Sequence, residues 1–327
     1  MNHKERIRAA IAGDPVDRPP ISLWRHNFLR EWSAPDLADE TLLLYRDYDW
    51  DLIKVNPRWS YLPEVWGNRY QPSDRQRFQR LLHAVVAEPG DLDGIARGDR
   101  QHPALVEQLD ALSAVVAEVG DEVDVIHTVF SPLAVLGLLV GEVGGRTIEI
   151  MEANPEGAER ALRAIRETVA DHIDDALAVG AAGVFYAPLP WTSLDLCPAD
   201  VYERYGRPHD LFVLERMAHA PVRVLHMCGD NIDAQRFDDY PINIASWDDQ
   251  GRGNPEMATL AGRADRAVMA GVPHRRIHKL DLDEVSRCVH AAVGDLDTGF
   301  IVAGGCAVGA EVSAAHMRAT RDVVDRW

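Results

Sequence analysis

Eight short apolar runs, each followed by a more polar segment, constrain the fold of this chain most strongly. They are PPISLW (19–24), DLIKV (51–55), VDVIHTVF (123–130), GVFYAP (183–188), VRVLHM (222–227), INIASW (242–247), AVMAGV (267–272) and GFIVAGG (299–305). Several are apolar throughout and do not alternate with polar residues. That pattern is typical of strands in a parallel sheet whose two faces are both covered.

Amphipathic segments lie between these runs and place apolar residues at three- and four-residue spacing, which predicts helices with one buried face. These segments are 39–48, 104–119, 156–180, 201–220, 283–293 and 310–327. Strands that alternate with helices imply parallel strands joined by crossovers. Eight such units in 327 residues predict an α/β fold, a (β/α)8 TIM barrel that forms a single domain over residues 1–327 with N-terminal helical decoration. A dinucleotide-binding open sheet is disfavoured because no Gly-x-Gly-x-x-Gly follows the first run.

Charge and apolar segment length bear on the class of partner. The chain carries 52 acidic residues against 34 basic ones, a net charge of −18, which disfavours binding to nucleic acid or anionic membranes. Its most apolar stretch, SPLAVLGLLVG (131–141), is too short to span a bilayer. The first 20 residues contain no apolar segment, so we expect no signal peptide and a cytoplasmic protein. In that compartment the four cysteines stay reduced and are free for metal binding or catalysis.

Three candidate metal ligands stand at the ends of two apolar runs. His226 and Cys228 lie two residues apart at the end of the fifth run, so in a strand their side chains point the same way. Cys306 follows the eighth run among Gly304, Gly305 and Gly309. In a closed barrel these strand ends face each other across the mouth, where barrel enzymes place their chemistry.

An imidazole and two thiols are the ligands of a zinc-type site. A His-x-Cys pair alone also arises by chance, and a buried cysteine commonly serves as a small apolar residue. The third residue at a matching strand end is what favours a metal site formed by His226, Cys228 and Cys306.

Four segments of the chain resemble the uroporphyrinogen decarboxylase superfamily, in order and over nearly the whole length. They are KERIRAAIAGDPVDRPPISLWRH (4–26), HMCGD (226–230), INIASWDDQG (242–251) and FIVAGGCAVG (300–309). The resemblance implies a (β/α)8 barrel and one of two chemistries. One branch decarboxylates a porphyrinogen without a cofactor, and the other consists of zinc methyltransferases that move a methyl group from a corrinoid protein to a thiol.

The methyltransferase branch is the closer match. Its zinc ligands, a His-x-Cys pair and a distant Cys, match His226, Cys228 and Cys306. The decarboxylase branch has two arginines after the first strand, whereas this chain keeps Arg25 but has the second only as Arg30, if at all. That branch also has an Asp after the second strand, where this chain has Asn56-Pro57, and a Gly-His-Gly turn in place of Gly305-Cys306-Ala307.

We therefore expect a zinc-dependent methyltransferase that takes a methyl group from a corrinoid protein or methylated cofactor and passes it to a small thiol. The expected cofactor is Zn²⁺, and a second copy of the chain in a homodimer is a further partner to consider. Two alternatives remain open. One is a metal-free decarboxylase of a tetrapyrrole or other polycarboxylate, as in porphyrin biosynthesis, and the other is a non-catalytic barrel that binds a tetrapyrrole or corrinoid.

Other residues have both a functional and a structural interpretation. Arg25 could clamp a substrate carboxylate or sulfonate as a catalytic residue, or form a salt bridge at the barrel mouth. Asp230, Asp248 and Glu142 could assist the metal, but a solvated loop carboxylate is the simpler interpretation of each. His127, in the middle of the third run, is best explained as a core histidine. The tryptophans near the strand ends could line a pocket or pack the core, and these are Trp24, Trp59, Trp66, Trp191 and Trp247.

Overall fold

The computed structural model of the protein describes residues 1–262 and 266–327. Ten strands are present in that part of the chain. They are β1 Ile21–Ser22, β2 Leu52–Val55, β3 Arg69–Gln71, β4 Arg80–His83, β5 Asp124–Phe130, β6 Gly183–Ala187, β7 Val222–Met227, β8 Ile244–Trp247, β9 Ala267–Val272 and β10 Phe300–Gly304. Each of the eight apolar runs contains one strand, so the eight strands predicted from the sequence are confirmed.

Eight parallel strands form one sheet in the order β1-β10-β9-β8-β7-β6-β5-β2. The two edge strands of this sheet, β1 and β2, lie next to each other. The Ser22 hydroxyl donates to the Leu52 carbonyl at 2.8 Å, and the Asp51 amide donates to the Ile21 carbonyl at 2.8 Å. The sheet is thus a nearly closed barrel, and the predicted TIM-barrel fold is confirmed.

Helices surround the barrel and connect its strands. The α-helices are α1 His3–Ala12, α2 Ala34–Tyr48, α3 Tyr61–Glu64, α4 Pro103–Val119, α5 Pro132–Val140, α6 Gly145–Ala153, α7 Pro155–Ala178, α8 Ala199–Tyr205, α9 Arg207–Leu214, α10 Met257–Leu260, α11 Leu282–Val293 and α12 Ala314–Asp325. Short 3₁₀ helices cover Pro89–Gly94, Leu189–Thr192, Glu215–Met217, Ala234–Phe237 and Ile277–Lys279. Helix α1 precedes the first barrel strand, as the predicted N-terminal decoration requires.

The segment 201–220, predicted as one helix, is broken into α8, α9 and a 3₁₀ turn. The break falls at Gly206, directly before Arg207 and Pro208. Proline lacks an amide hydrogen and fits the first turn of a helix but not its interior, so a new helix begins here.

The most apolar stretch of the sequence, residues 131–141, contains helix α5. All nine of its residues are buried, and it packs against α7. The side chain of Ser131 caps its first turn by accepting from the amide of Ala134. A helix that is apolar on every side is a core helix in a protein of this size. Among the described residues, no helix is both long and apolar enough to cross a bilayer.

Candidate metal centre

His226 lies near the end of β7 and points into the barrel, where 3% of its surface is exposed. Cys228 follows the strand, and the backbone then turns at Gly229, whose φ of 106° is in the left-handed region that favours glycine. This turn ends the strand immediately after the second candidate ligand.

Cys306 lies in the turn that follows β10. A Cβ on Gly304 would stand 2.6 Å from the Cys306 carbonyl oxygen, and one on Gly305 would stand 2.4 Å from the Cα of Asp248. At these distances neither Gly304 nor Gly305 has room for a side chain. These two glycines therefore let the turn fold tightly against the end of β8 and bring the Cys306 sulfur over the barrel mouth.

One ligand atom from each of His226, Cys228 and Cys306 lies within 4.8 Å of the other two. In the described part of the chain, no other group of three His, Cys, Asp or Glu residues brings its ligand atoms together in a way that could hold a metal ion. The convergence predicted from the strand ends is therefore present. Metal binding by the three residues remains a prediction.

The His226 ring is oriented for a ligand. Its Nδ1 lies 3.2 Å from the Ser246 hydroxyl on the neighbouring strand β8, and its Nε2 is buried with no oxygen or nitrogen partner among the described residues. A buried nitrogen without a partner is costly in an otherwise apolar site. Together with two sulfur atoms, this free nitrogen fits a soft cation such as Zn²⁺.

The two thiols have very different proton affinities. The hydrogen bond between them, together with burial, raises the pKa of Cys228 well above its ordinary value. The same hydrogen bond lowers the pKa of Cys306 well below its ordinary value, and the nearby His226 ring adds to that effect. The pair therefore holds one negative charge readily, whereas a second negative charge needs a cation to balance it.

The three residues form part of the wall of a cavity of about 460 Å³. Aromatic side chains supply much of the remaining wall, and these are Trp24, Trp59, Phe78, Phe130 and Phe185. A cavity of this size suits a small molecule. Of the five tryptophans singled out in the sequence, Trp24 and Trp59 line it.

Lys54, on β2, lines the cavity although the sequence pattern did not single it out. It is 7% exposed, and its Nζ lies 4.5 Å from the centre of the Phe185 ring and 5.1 Å from that of Trp24. Its amine donates to the Asn56 amide oxygen. Burial lowers the pKa of Lys54 to about 7, although the nearby Cys306 acts in the opposite direction. The sequence signal was a lysine among the apolar residues of LIKV (52–55).

Arg25 is not brought together with the three candidate ligands. Its guanidinium lies 3.3 Å from a carboxylate oxygen of Glu40 on α2. Arg30, the displaced second arginine, pairs with Glu40 and Asp36. A catalytic contact between Arg25 and a substrate remains a prediction, and the observed geometry is that of a salt bridge at the barrel mouth.

The other candidate polar residues take structural positions. Asp230 and Asp248 each lie 2.8 Å from the guanidinium of Arg275, so these carboxylates fix the loops behind the cluster. Glu142 is exposed and does not line the cavity that contains the three candidate ligands. His127 is fully buried, as expected, with its Nε2 3.0 Å from that of His172.

Comparisons with known proteins give a family and a set of similar folds. The sequence profile of the uroporphyrinogen decarboxylase (URO-D) family matches residues 2–327. A methyltransferase from Methanosarcina mazei is similar in structure, with a TM-score of 0.82 at 18% identity over 100% of this chain and 99% of that chain. A B12-independent methionine synthase from Shewanella sp. W3-18-1, in complex with selenomethionine, has a TM-score of 0.60 at 12% identity over 97% and 98% of the two chains. At these identities the likeness establishes the fold. No curated protein matches the sequence.

Proposed function

Because the chain belongs to the uroporphyrinogen decarboxylase family, we propose that it is a methyltransferase of that family, one that uses zinc and a thiol acceptor. The methyl donor is a corrinoid protein or a methylated cofactor. The observation that carries the proposal is the convergence of His226, Cys228 and Cys306 within 4.8 Å in the wall of a cavity that admits a small molecule.

The donor set suits a catalytic site. Three protein ligands leave a fourth position open, whereas structural zinc sites are closed by four protein ligands. When bound, zinc would lower the pKa of a substrate thiol so that the thiol is deprotonated near neutral pH. Cys228 and Cys306 would contribute negative charge, and His226 would be held in place by Ser246 on β8.

The cavity wall would hold the acceptor and keep water away from it. Trp59, Phe130 and Phe185 present apolar surfaces to the cavity that contains the cluster. Exclusion of water favours methyl transfer to sulfur over competing hydrolysis. The structural similarity to a methyltransferase and to a methionine synthase supports this class of reaction.

The same wall disfavours a porphyrinogen decarboxylase. Among the described residues lining this cavity, Lys54 is the one lysine and no arginine is present. A substrate with many carboxylates needs several cations to offset its desolvation. Cys306 stands where the decarboxylase branch has the histidine of its Gly-His-Gly turn. The corrinoid partner and a homodimer remain predictions.

The proposal is tested by the methylation of a simple thiol with methylcobalamin as donor. Zinc-loaded parent protein should methylate 2-mercaptoethanol, and C306S should lose this activity because serine is a harder and far less acidic ligand than cysteine. The matched control is C288S, since Cys288 lies on α11, outside the cluster. Equal thiol methylation by the parent and C306S would contradict the proposed site.

Zinc-independent decarboxylation of uroporphyrinogen that persists in C306S would instead assign the protein to the decarboxylase branch. Tetrapyrrole or corrinoid binding that survives in C306S, without turnover of either substrate, would favour the non-catalytic barrel. These outcomes separate the three functions, because each depends differently on zinc and on Cys306.

A further inference from the structure

His26 and Glu31 form a buried pair in the loop after β1. The Nδ1 atom of His26 lies 2.7 Å from Glu31 Oε2, and Glu31 is 2% exposed. The second carboxylate oxygen of Glu31 is buried and has no partner among the described residues. A buried carboxylate with one free oxygen is stabilised when the group bonded to its other oxygen carries a positive charge.

Two aromatic rings fix the imidazole of His26. The Phe28 ring stacks on it, with ring centres 5.0 Å apart and planes 10° apart. The Phe78 ring meets it edge-on, with ring centres 5.5 Å apart. With Nδ1 directed at Glu31, the imidazole can rotate little, and Nε2 remains the nitrogen available for proton transfer.

His26 is a wall residue of the same cavity as the three candidate metal ligands. It also lines an adjoining cavity of about 290 Å³, and it shares both walls with Phe78 and with Ala307, the residue after Cys306. The His26 side chain is 15% exposed, so it lies where the cavity meets solvent. This position lets it exchange a proton with bulk water after each reaction.

A base held by a buried carboxylate and placed in a cavity that holds a candidate nucleophile site is the usual arrangement of a proton-accepting pair. We propose that His26 accepts the proton of the acceptor thiol, and that Glu31 is a positioning residue that holds the ring and stabilises its protonated form. This inference rests on the proposed function, since it takes a thiol as the substrate.

The proton and the electrons balance in two steps. The S–H bond of the thiol breaks, its electron pair stays on sulfur, and an N–H bond forms at Nε2 of His26. The sulfur then forms a bond to the methyl group, and the donor keeps the electron pair of the bond it loses. The product thioether is neutral, so the thiolate charge that accompanied the imidazolium is gone, and His26 returns its proton to solvent.

Other charged or titratable groups face the same space and are competing proton acceptors. Those lining the two cavities around His26 are Lys54, Arg77, His226, Cys228, Cys306 and Glu311. Lys54 is the strongest competitor because it is buried and has no carboxylate among its described partners. The experiment therefore includes a Lys54 variant.

The test measures how many protons are released when a thiol binds, without any methyl transfer. Zinc-loaded protein is titrated with 2-mercaptoethanol at pH 7 by calorimetry in two buffers of different ionisation enthalpy. If the thiol proton stays on His26, the parent should release close to zero protons per thiol bound. H26Q has no base at this position and should release about one proton.

Three variants make the result specific. E31Q keeps a hydrogen-bonding side chain but removes the charge, so it should release more protons than the parent, and it serves as a second test should H26Q fail to fold. H219Q, at an exposed histidine outside the cavity, should behave like the parent. K54M should also behave like the parent.

Release of about one proton by the parent would overturn the inference. The inference would also be overturned if the parent and H26Q released the same number of protons per thiol bound. It would be overturned as well if K54M released more protons than the parent while H26Q did not. If the zinc-loaded parent binds no thiol at all, the result would contradict the proposed function. It would then also contradict the proton-accepting role of His26 and Glu31, which rests on that function. Proton release that increases in H26Q and E31Q, but in neither H219Q nor K54M, would establish His26 and Glu31 as the proton-accepting pair.

Discussion

The Nε2 atoms of His127 on β5 and His172 on α7 lie 3.0 Å apart, and both rings are almost completely buried. The Nδ1 atoms of both rings are buried without a partner among the described residues. Burial lowers the pKa of His172 to about 4 and that of His127 well below its ordinary value, and each ring can share a proton only with the other. The pair joins a barrel strand to a surrounding helix in its neutral form.

This pair predicts that the fold loses stability in mild acid. Below about pH 6.5 the unfolded chain binds protons at both histidines while the folded chain does not, so the free energy of unfolding falls until the folded pKa is reached. The expected loss is about 1.5 kcal/mol for each histidine between pH 6.5 and pH 5, because the unfolded histidine is already half protonated at pH 6.5. Urea unfolding of the parent and H172N at these two pH values measures it. H219Q is the control for removal of a histidine, and an H172N protein that loses as much stability as the parent would contradict the prediction.

The buried amine of Lys54 should lower the stability of the fold at neutral pH. Its pKa in the folded protein is about 7, below the ordinary 10.5, so folding is penalised most below pH 7 and the penalty disappears as the pH approaches 10.5. K54M should therefore raise the free energy of unfolding at pH 7 by on the order of 2–4 kcal/mol, and by less at pH 9.

The matched control is K279M, at an exposed position, where the change should stay within about 0.5 kcal/mol. Denaturant unfolding of the parent, K54M and K279M at pH 7 and pH 9 measures these changes in the free energy of unfolding. A K54M protein less stable than the parent at pH 7 would show that the amine has compensating interactions in the fold.

Gly305 should be essential to the position of Cys306. In G305A the added Cβ would meet the Cα of Asp248 at 2.4 Å, and backbone cannot move aside cheaply. We expect at least a tenfold loss of zinc affinity, measured by competition with a chromogenic chelator. G145A, where the added Cβ meets nothing within 4 Å, should bind zinc like the parent. Unchanged affinity in G305A would mean that the turn does not set the geometry of the cluster.

Zinc affinity should increase with pH. The raised pKa of Cys228 means that this thiol is protonated at neutral pH, so the metal must displace its proton. The apparent affinity should rise about tenfold for each pH unit between pH 6 and pH 8. Chelator competition at three pH values gives the slope, and an affinity that does not change with pH would show that both thiols are already ionised.

The strands and the convergence of His226, Cys228 and Cys306 could be predicted from the sequence because both leave a periodic or positional signal. Each barrel strand is an apolar run, and two-residue alternation places His226 and Cys228 on one face. The hairpin of β3 and β4 was missed because its residues are mostly exposed and carry no apolar pattern.

His26 and Glu31 were missed for a different reason. They lie in an irregular loop, where spacing does not determine which side chains meet, and only the fold pairs them and places His26 in the cavity wall. Lys54 appeared as an interruption of an apolar run, and its burial depends on the closure of the barrel around it.

The zinc content of the purified protein shows whether His226, Cys228 and Cys306 hold a metal ion. Parent protein supplied with zinc and then desalted should retain one zinc per chain by elemental analysis, and C288S should retain the same amount. C306S should retain well under half an equivalent, because a serine hydroxyl binds zinc far more weakly than a thiolate. Parent protein that retains no zinc, or C306S that retains as much as the parent, would contradict zinc binding by these three residues.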